Sequence, residues 1–276
     1  MSLRANEVSE AISELIQQSG VVVAVAAHNL ETREEILIQP DKSFHPASTI
    51  KICLMMETFH QARQGLFSLD DPMLLKNEFA SLADGSPYSL SVADDSEKDL
   101  YEHIGKSLSI RELILRMITV SSNLAANLLI ERITAERTTQ FMHELGTKDV
   151  IVRRGVEDNK AFRLGLNNSA TARGLMQILL KLAKREVLSP QDSDEMIEVL
   201  LQQKFNETIP AQLPANTRVA HKTGWTGKYY HDVGIVYPPN GDALVLAIMT
   251  KGFEKDEDAH SFIASLAKII YDEWAV

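Results

Sequence analysis

The stretch HDVGIVYPPNGDALVLAIMT, residues 231–250, contains two strand patterns joined by the polar turn PPNGD. Both runs are short, apolar and rich in Val and Ile, and turn residues bound them, which is typical of strands in a sheet core. TRVAHKTG, residues 217–224, has the same character and precedes them in the chain. The last quarter of the sequence therefore predicts three neighbouring strands.

Two further strand patterns stand near the N-terminus, VVVAVAA at 21–27 and EEILIQ at 34–39, separated by the turn NLET. A lone two-stranded hairpin is marginal in water, so we expect this pair to join the C-terminal three in one antiparallel five-stranded sheet. Amphipathic helices are predicted on both sides of these strands, from about Val8 to Ile16 and from about Asp258 to Glu273.

Between about residues 48 and 203 the hydrophobic pattern changes from a period of two to a period of 3.6, which predicts helices. Helix starts are marked by a capping box at Ser109 and by Ser189 before Pro190. The stretch 80–99 is rich in Ser, Asp and Gly and is predicted to be a surface insertion whose acidic run is a solvated loop.

These patterns predict an α+β protein built from two lobes. One is a three-layer α/β/α sandwich with the five-stranded antiparallel sheet, formed by residues 1–45 and 205–276. The other is an inserted all-helical lobe, residues 46–204.

The composition narrows the possible partners. The chain has 276 residues and a formal net charge of -10, which disfavours nucleic acid or an anionic membrane surface as a partner. The single cysteine, Cys53, allows no intramolecular disulfide and no Cys-rich metal site, and we expect its side chain to be buried. No HExxH or GxxxxGK[ST] motif is present, so no metal, phosphate site or cofactor is predicted.

The sequence gives little information on compartment. Its longest apolar run, 21–27, is far shorter than the roughly 20 residues of a membrane helix, so no membrane span is predicted. The first residues lack an apolar leader pattern, which leaves a cytosolic protein or an exported one whose leader has been removed. We expect a monomer acting on a small molecule.

The first candidate for chemistry is HPASTIK, residues 45–51. Ser48 opens a predicted helix and Lys51 follows one turn later, within reach of the hydroxyl. Free N–H groups at a helix N-terminus suit an oxyanion, and a desolvated lysine can act as a base. The same Ser-x-x-Lys spacing occurs in SLAK, residues 265–268, inside a helix, and taken alone Ser48 also fits an ordinary helix cap.

Two more polar motifs follow in the chain. SSNLAAN, residues 121–127, places Ser121 and Asn123 at a predicted helix junction, and HKTG, residues 221–224, ends a predicted strand. Each is unremarkable alone, as a polar inter-helix turn or a strand end with a glycine.

In this order the three motifs match the S-x-x-K, S-D-N and K-T-G signature, with Ser121-Ser122-Asn123 standing for S-D-N. The chain thus resembles the class A β-lactamases and penicillin-recognising serine hydrolases over nearly its whole length, and the resemblance implies a β-lactamase-like fold. It implies that Ser48 is the nucleophile that forms an acyl-enzyme, that Lys51 takes part in its activation, and that Ser121 passes a proton to the leaving nitrogen. The remaining implied roles are amide binding by Asn123, carboxylate binding by Lys222 and Thr223, close backbone approach at Gly224, and an oxyanion hole from the backbone N–H groups of Ser48 and Trp225.

The hydrolytic step of this family needs a carboxylate that activates a water. RRGVEDNKAF, residues 153–162, stands where the omega loop of the family should fall, with Glu157 as the candidate and Asp158 as its rival. The resemblance also implies a water-holding asparagine four residues after the glutamate, but this position is Ala161. Three other asparagines are possible substitutes: Asn159, Asn167 and Asn168.

The chain departs from the family at several positions. Ser122 replaces the usual aspartate of the second motif, and Trp225 is bulky, which fits either a narrower cleft or a buried structural tryptophan. No second carboxylate-binding arginine is evident, and Lys228 or His231 is a possible replacement. His231 and Asp232 also suggest a triad with Ser48, although no G-x-S-x-G elbow surrounds that serine.

The leading hypothesis is a serine β-lactamase that works through a Ser48 acyl-enzyme without a cofactor. One alternative is a D-alanyl-D-alanine peptidase-like or esterase-like acyl hydrolase that turns lactams over poorly. The other is a non-hydrolytic β-lactam-binding or sensor protein on the same scaffold.

Overall fold

The computed structural model describes residues 3–239 and 241–275. It divides into two compact units, Met1–Thr49 with Ala170–Val276, and Ile50–Ser169. The helices and strands, in chain order, are α1 (Leu3–Ser19), β1 (Val22–Asn29), β2 (Glu35–Ile38), α2 (Lys51–Arg63), β3 (Pro72–Leu74), β4 (Phe79–Ala80), β5 (Pro87–Tyr88), β6 (Ser107–Ser109), α3 (Ile110–Thr119), α4 (Asn123–Ile133), α5 (Ala135–Glu144), α6 (Asn159–Arg163), α7 (Ala172–Ala183), α8 (Pro190–Leu200), β7 (Arg218–Thr226), β8 (Tyr229–Tyr237), β9 (Leu244–Lys251) and α9 (Asp256–Trp274). Short 3-10 helices occupy Ala47–Ile50, Asp99–His103 and Ile209–Gln212.

The first unit is built on a five-stranded sheet in the order β2-β1-β9-β8-β7, with every neighbouring pair antiparallel. The prediction that the N-terminal pair of strands joins the C-terminal three is therefore confirmed. The predicted turn PPNGD between β8 and β9 includes Asn240, which lies outside the described residues.

Helices cover both faces of this sheet. Alternate strand residues such as Val23, Val25 and Ile248 pack against α9 in a hydrophobic core of the unit. Helix α7 contacts β1, β8 and β9, and its apolar side chains, Leu175, Ile178, Leu179 and Leu182, are fully buried or nearly so. The unit is thus the three-layer α/β/α sandwich that the strand and helix patterns predict.

The predicted boundary of the inserted lobe at residue 204 is wrong. Helices α7 and α8 belong to the sheet unit, because α7 packs on three of its strands and α8 packs on β7. The insertion therefore ends at Ser169 rather than at residue 204, and it begins at Ile50 rather than at residue 46. A period of 3.6 shows that a helix buries one face, but it does not show which element that face covers.

The second unit, residues 50–169, contains helices α2 to α6 and two small ladders, β3 with β6 and β4 with β5. Strands of two or three residues carry too little periodicity to be predicted. The stretch 80–99 is also not a simple solvated loop, since Ser81, Leu90 and Asp95 are buried within it.

Cys53 lies in α2 with no exposed surface, as predicted, and burial raises the pKa of its thiol to about 12. Within residues 3–239 and 241–275, no helix is long and apolar enough to cross a membrane. The same part of the chain holds no group of His, Cys, Asp or Glu side chains arranged to bind a metal ion.

Candidate active site

Ser48 lies in the 3-10 helix Ala47–Ile50, which runs without a break into α2. The N-cap of α2 is Ile50, whose side chain makes no capping bond, so Ser48 is not the cap of this helix. Ala47 has a φ of 48° and thus adopts the left-handed conformation that residues other than glycine rarely take. The turn that contains Ser48 is closed by Thr49, whose hydroxyl and amide donate to the Pro46 carbonyl at 2.6 and 3.2 Å.

Gly224 of β7 lies against the backbone that carries Ser48. A Cβ atom at this glycine would stand 3.0 Å from the backbone nitrogens of both Ser48 and Thr49. Such contacts are tighter than nearly all Cβ contacts in proteins, and the backbone atoms concerned have little room to move, so glycine favours this close approach. The backbone of the K-T-G strand and the backbone of the serine motif are therefore immediate neighbours.

Around Gly224, the other residues of the strand end differ in exposure. Lys222 is fully buried and donates from Nζ to the Thr223 carbonyl at 2.9 Å. Trp225 is 61% exposed, so the interpretation as a buried structural tryptophan is wrong. Lys228, one possible carboxylate partner, pairs with the exposed Glu254.

His231 is buried and fixes the segment that leads to Ser48. Its Nε2 lies 2.9 Å from the His45 carbonyl, and its Nδ1 accepts a hydrogen bond from the Thr250 amide at 3.1 Å. Nδ1 also lies 2.7 Å from the Tyr230 carbonyl. The tautomer with its proton on Nε2 satisfies the His45 and Thr250 contacts, and the Tyr230 carbonyl then receives the Thr250 hydroxyl. Burial lowers the pKa of His231 to about 4, so the ring is neutral at pH 7 and is not a cation for a substrate carboxylate.

The triad of Ser48, His231 and Asp232 is excluded by the pleat of β8. Successive residues of a strand point to opposite faces, and the Asp232 carboxylate binds the ring of His221 at 2.9 Å on the adjacent strand. His221 in turn contacts Asn206 at 3.1 Å. This buried network stabilises the α9 side of the sheet and has no link to His231.

The neutral state of His231 makes the protein sensitive to acid. Its folded pKa of about 4 lies below the ordinary 6.5, so the unfolded chain takes up a proton first as the pH falls. We expect the contribution of His231 to the stability of the folded state to be complete above pH 6.5 and to be lost as the pH falls from 6.5 toward 4. The loss should amount to about 2 kcal/mol between pH 7 and pH 5. His231→Gln keeps an N–H donor but cannot be protonated, so its free energy of unfolding in urea should fall less over this range.

The exposed His143 provides the control, since His143→Gln should reproduce the wild-type pH dependence. Parallel curves for the wild type and His231→Gln would contradict the assignment.

In the helical unit, Lys51 is fully buried at the first position of α2. Its Nζ donates to the Ser121 carbonyl at 2.7 Å, to the Ser121 hydroxyl at 3.2 Å and to Asn123 Oδ1 at 2.9 Å. The first two motifs of the sequence are thus joined by one ammonium group. Ser121, with a φ of 57°, is also held in the left-handed region.

Burial is the largest influence on the charge of Lys51 and lowers its pKa to about 8, while the negative charges of Asp95 and Glu157 act in the opposite direction. We expect the Lys51 side chain to titrate near pH 8 in NMR spectra of the lysine Cε signals, with assignment by the signal lost in Lys51→Met. A midpoint near the usual 10.5 would show that the amine is solvated rather than buried.

Glu157 lies beside this lysine network. Its Oε1 accepts from Asn123 Nδ2 at 3.0 Å and its Oε2 accepts from the Ser91 amide at 2.9 Å. With a φ of 58°, Glu157 also adopts the left-handed conformation. A carboxylate held by two donors retains lone pairs for a water.

The residue before Glu157 is clamped to α4. Asn127 accepts from the Val156 amide at 2.7 Å and donates to the Val156 carbonyl at 3.0 Å and to the Tyr88 hydroxyl at 3.2 Å. A Cβ at Gly155 would lie 2.4 Å from Asn127 Oδ1, so only glycine permits this clamp. The backbone position of Glu157 is therefore fixed by its neighbours.

Asp158, the rival carboxylate, is used for structure. It is 2% exposed and accepts from the Ser81 hydroxyl at 2.8 Å, the Leu82 amide at 2.8 Å and the Ala161 amide at 3.0 Å. Burial works against its charged form, but these hydrogen bonds outweigh burial and hold the pKa of Asp158 below its usual range. Asp158 caps α6 and ties this loop to residues 81–82.

The three asparagines proposed as water holders are placed differently. Asn167 accepts from Arg154 Nη2 at 2.9 Å, and Asn168 accepts from the backbone amides of Arg153 and Arg154. Both asparagines therefore link the end of this loop to its start at residues 153–154. Asn159, by contrast, is exposed. Ala161 is fully buried in α6 and cannot hold a water by hydrogen bonding.

The structure also shows a residue that the motifs did not reveal. Ser122 caps α4 by accepting from the Ala125 amide at 3.2 Å, and the buried Asp95 accepts from the amides of Asn123 and Leu124. The only sequence signal was an acidic residue in the stretch 80–99, which predicts a solvated loop as readily as a buried cap.

Comparison with known proteins agrees with this geometry. A sequence model of the beta-lactamase enzyme family matches residues 7–274. The chain is 24% identical to the extended-spectrum beta-lactamase PER-1 of Pseudomonas aeruginosa, covering 95% of this chain and 85% of that protein. It is 27% identical to the carbapenem-hydrolyzing beta-lactamase KPC of Klebsiella oxytoca, covering 96% of this chain and 88% of that one.

Solved structures show the same fold. The TLA-1 extended spectrum beta-lactamase has a TM-score of 0.84 at 22% identity, with 97% of this chain and 98% of that chain covered. A point mutant of PBP-A, solved as an acyl-enzyme complex with penicillin G, has a TM-score of 0.82 at 24% identity, with 97% and 96% covered. The chain belongs to the beta-lactamase enzyme family, and its fold is that of a class A β-lactamase.

Proposed function

We propose that this protein is a serine β-lactamase that hydrolyses β-lactam amide bonds through an acyl-enzyme on Ser48. The observation that carries the proposal is the network in which the buried Lys51 amine binds Ser121 and Asn123 while Asn123 binds Glu157. Base, proton relay and carboxylate are thereby joined in one set of hydrogen bonds. Family membership supplies the substrate class.

In acylation, the Ser48 oxygen attacks the lactam carbonyl and its proton passes to neutral Lys51, which follows three residues later on a continuous helical stretch. The Ser121 hydroxyl gives its proton to the lactam nitrogen as the C–N bond breaks, and takes one back from the Lys51 ammonium. The backbone N–H groups of Ser48 and Trp225 are proposed to stabilise the oxyanion.

In deacylation, Glu157 removes a proton from a water that attacks the ester carbonyl. The tetrahedral intermediate collapses, the proton taken up by Glu157 is returned to the Ser48 oxygen, and the open acid leaves. Glu157 is favoured over Asp158 because Asp158 is 2% exposed and accepts three hydrogen bonds that build the loop, whereas Glu157 is only partly buried and accepts two, from Asn123 and Ser91.

For substrate binding we propose that Lys222 and Thr223 hold the carboxylate and that Asn123 holds the side-chain amide. Asn123 Nδ2 carries two N–H groups, and its bond to Glu157 uses one of them, so the other is available for a substrate carbonyl. All these residues come from one chain, and we propose that the protein acts as a monomer.

The test is to incubate the protein with a penicillin and with a chromogenic cephalosporin, following hydrolysis and intact mass, with Ser48→Ala as the control. We expect turnover by the wild type and neither turnover nor adduct with Ser48→Ala. A persistent adduct on Ser48 without turnover would instead support the peptidase-like or sensor alternatives. Turnover that survives Ser48→Ala would remove this serine as the nucleophile.

A further inference from the structure

Asp95 is 2% exposed although it lies in an acidic, serine-rich stretch of the helical unit. Its Oδ2 accepts from the Asn123 and Leu124 amides, each at 2.9 Å, and from the Tyr101 hydroxyl at 2.8 Å. Its Oδ1 accepts from the Glu97 amide at 3.1 Å. A carboxylate that is shielded from water and accepts four hydrogen bonds is held in a fixed position by the surrounding fold.

The amides that Asp95 binds are the first two of α4, and an α-helix leaves such groups without partners of its own. The side chain of Ser122 accepts from the Ala125 amide, which is the third of the helix. Asp95 therefore completes the cap, and its negative charge lies at the positive end of the helix. Without it, two buried amides next to Ser121 would lose their acceptor.

Ser121 needs this support, because its left-handed backbone persists only where the surroundings hold it in place. Two further contacts hold the same turn. The Ser96 hydroxyl donates to the Val120 carbonyl at 2.6 Å, and Glu97 forms an ion pair with Arg116. Residues 95–97 thus hold the turn that presents Ser121 and Asn123 to Lys51.

We propose that Asp95 is a positioning residue for the reaction: it fixes the Ser121–Asn123 turn and thereby holds the two side-chain partners of the Lys51 amine. The proposal rests on the function proposed above. Asp95 acts through backbone amides and touches no reacting atom, so its role differs from those of Lys51 and Glu157.

The charge of Asp95 gives this role a signature that a purely structural residue lacks. The charged groups acting on Lys51 include Asp95 and Glu157, and both favour its ammonium form. Tyr101 faces Asp95 from the 3-10 helix, and its pKa is raised by burial and by the carboxylate, so it stays a neutral donor. Removing the Asp95 charge should therefore make Lys51 less basic.

The experiment compares Asp95→Asn, Asp95→Ala and the control Asp94→Asn, which removes the same charge from an exposed neighbour. The rate of Ser48 acylation by a chromogenic cephalosporin is measured from about pH 5.5 to about pH 9 by stopped flow. We expect Asp95→Asn to lower the plateau roughly tenfold and to move the acid limb down by about half a pH unit or more. Asp95→Ala should lower the plateau further, and Asp94→Asn should change neither quantity.

A second measurement does not depend on catalysis. Amide hydrogen exchange at Asn123 and Leu124, and the Lys51 Cε titration, are recorded for the wild type, Asp95→Asn and Asp94→Asn. Faster exchange at the two amides together with a lower Lys51 midpoint in Asp95→Asn alone would support the positioning role.

The outcomes separate the two proposals. If the wild type is not acylated by any β-lactam, the proposed function fails, and the exchange and titration data still decide whether Asp95 holds the turn. If the wild type is acylated while Asp95→Asn keeps the wild-type plateau, acid limb and amide protection, the positioning role is overturned and the proposed function stands. Asp95→Asn preserves the size of the side chain, so the test remains possible if Asp95→Ala does not fold.

Discussion

Glu157→Gln is expected to trap the acyl-enzyme. The variant keeps the shape of the side chain but cannot take a proton from water, so hydrolysis of the Ser48 ester should slow by roughly 10²- to 10⁴-fold, the usual contribution of a general base. Acylation should not slow, because losing the Glu157 charge shifts Lys51 toward its neutral form. Intact mass after mixing with penicillin should show one stable adduct per chain, and a chromogenic cephalosporin should give a burst followed by a slow phase.

Asp158→Asn is the matched control, since it removes the same charge from the adjacent residue. Its melting temperature should fall, because Asp158 accepts three hydrogen bonds that close the loop, but no adduct should accumulate. If Glu157→Gln turns over like the wild type, or if Asp158→Asn is the variant that traps the ester, the water is activated by another group.

Lys51→Met is expected to lower the acylation rate of Ser48 by about 10²- to 10⁴-fold. The methionine fills the same buried volume but offers no lone pair to the serine, and it also leaves the Ser121 carbonyl and Asn123 Oδ1 without their shared donor. The residual acylation rate should lose the rise that the wild type shows toward pH 8, which is where Lys51 changes its charge. Stopped-flow acylation across this range measures both effects.

The chain contains its own control for this substitution. Lys268 ends the second Ser-x-x-Lys sequence, lies partly exposed on α9 and pairs with Asp272. Lys268→Met should therefore leave the acylation rate unchanged and alter the stability by about 0.5 kcal/mol or less. An acylation rate in Lys51→Met close to that of the wild type would assign the base to a different residue.

The sheet and the three motifs could be predicted from the sequence because each rests on local information. Strand periodicity, turn residues and the helix start near Ser48 are all readable within about ten residues. The joining of the two strand groups followed from the instability of a lone hairpin. What α7 and α8 cover could not be predicted, because an apolar stripe is the same whether it faces a sheet or a helix.

The candidate site likewise divides into residues that local sequence indicates and residues whose roles depend on long-range contacts. Ser48, Lys51 and Ser121 were indicated by motif order, but the preference for Glu157 over Asp158 depends on the burial of Asp158 and on the three loop hydrogen bonds that it accepts. The roles of Asp95 and His231 depend on contacts with amides and carbonyls far away in sequence, such as the His231 bond to the His45 carbonyl. When a side chain binds a backbone group, the partner residue can be of any type, so its identity in the sequence does not reveal the contact.

Ala47, Ser121 and Glu157 all occupy a backbone region that suits glycine, and two of them need their side chains for the proposed chemistry. These unfavourable backbone torsions raise the free energy of the folded state and thereby lower the heat resistance of the protein. Selection for thermal robustness alone would relax these positions first and reduce the reactivity of the serine. A search for hardier variants should therefore leave these three codons unchanged and seek its gains in the surface helices.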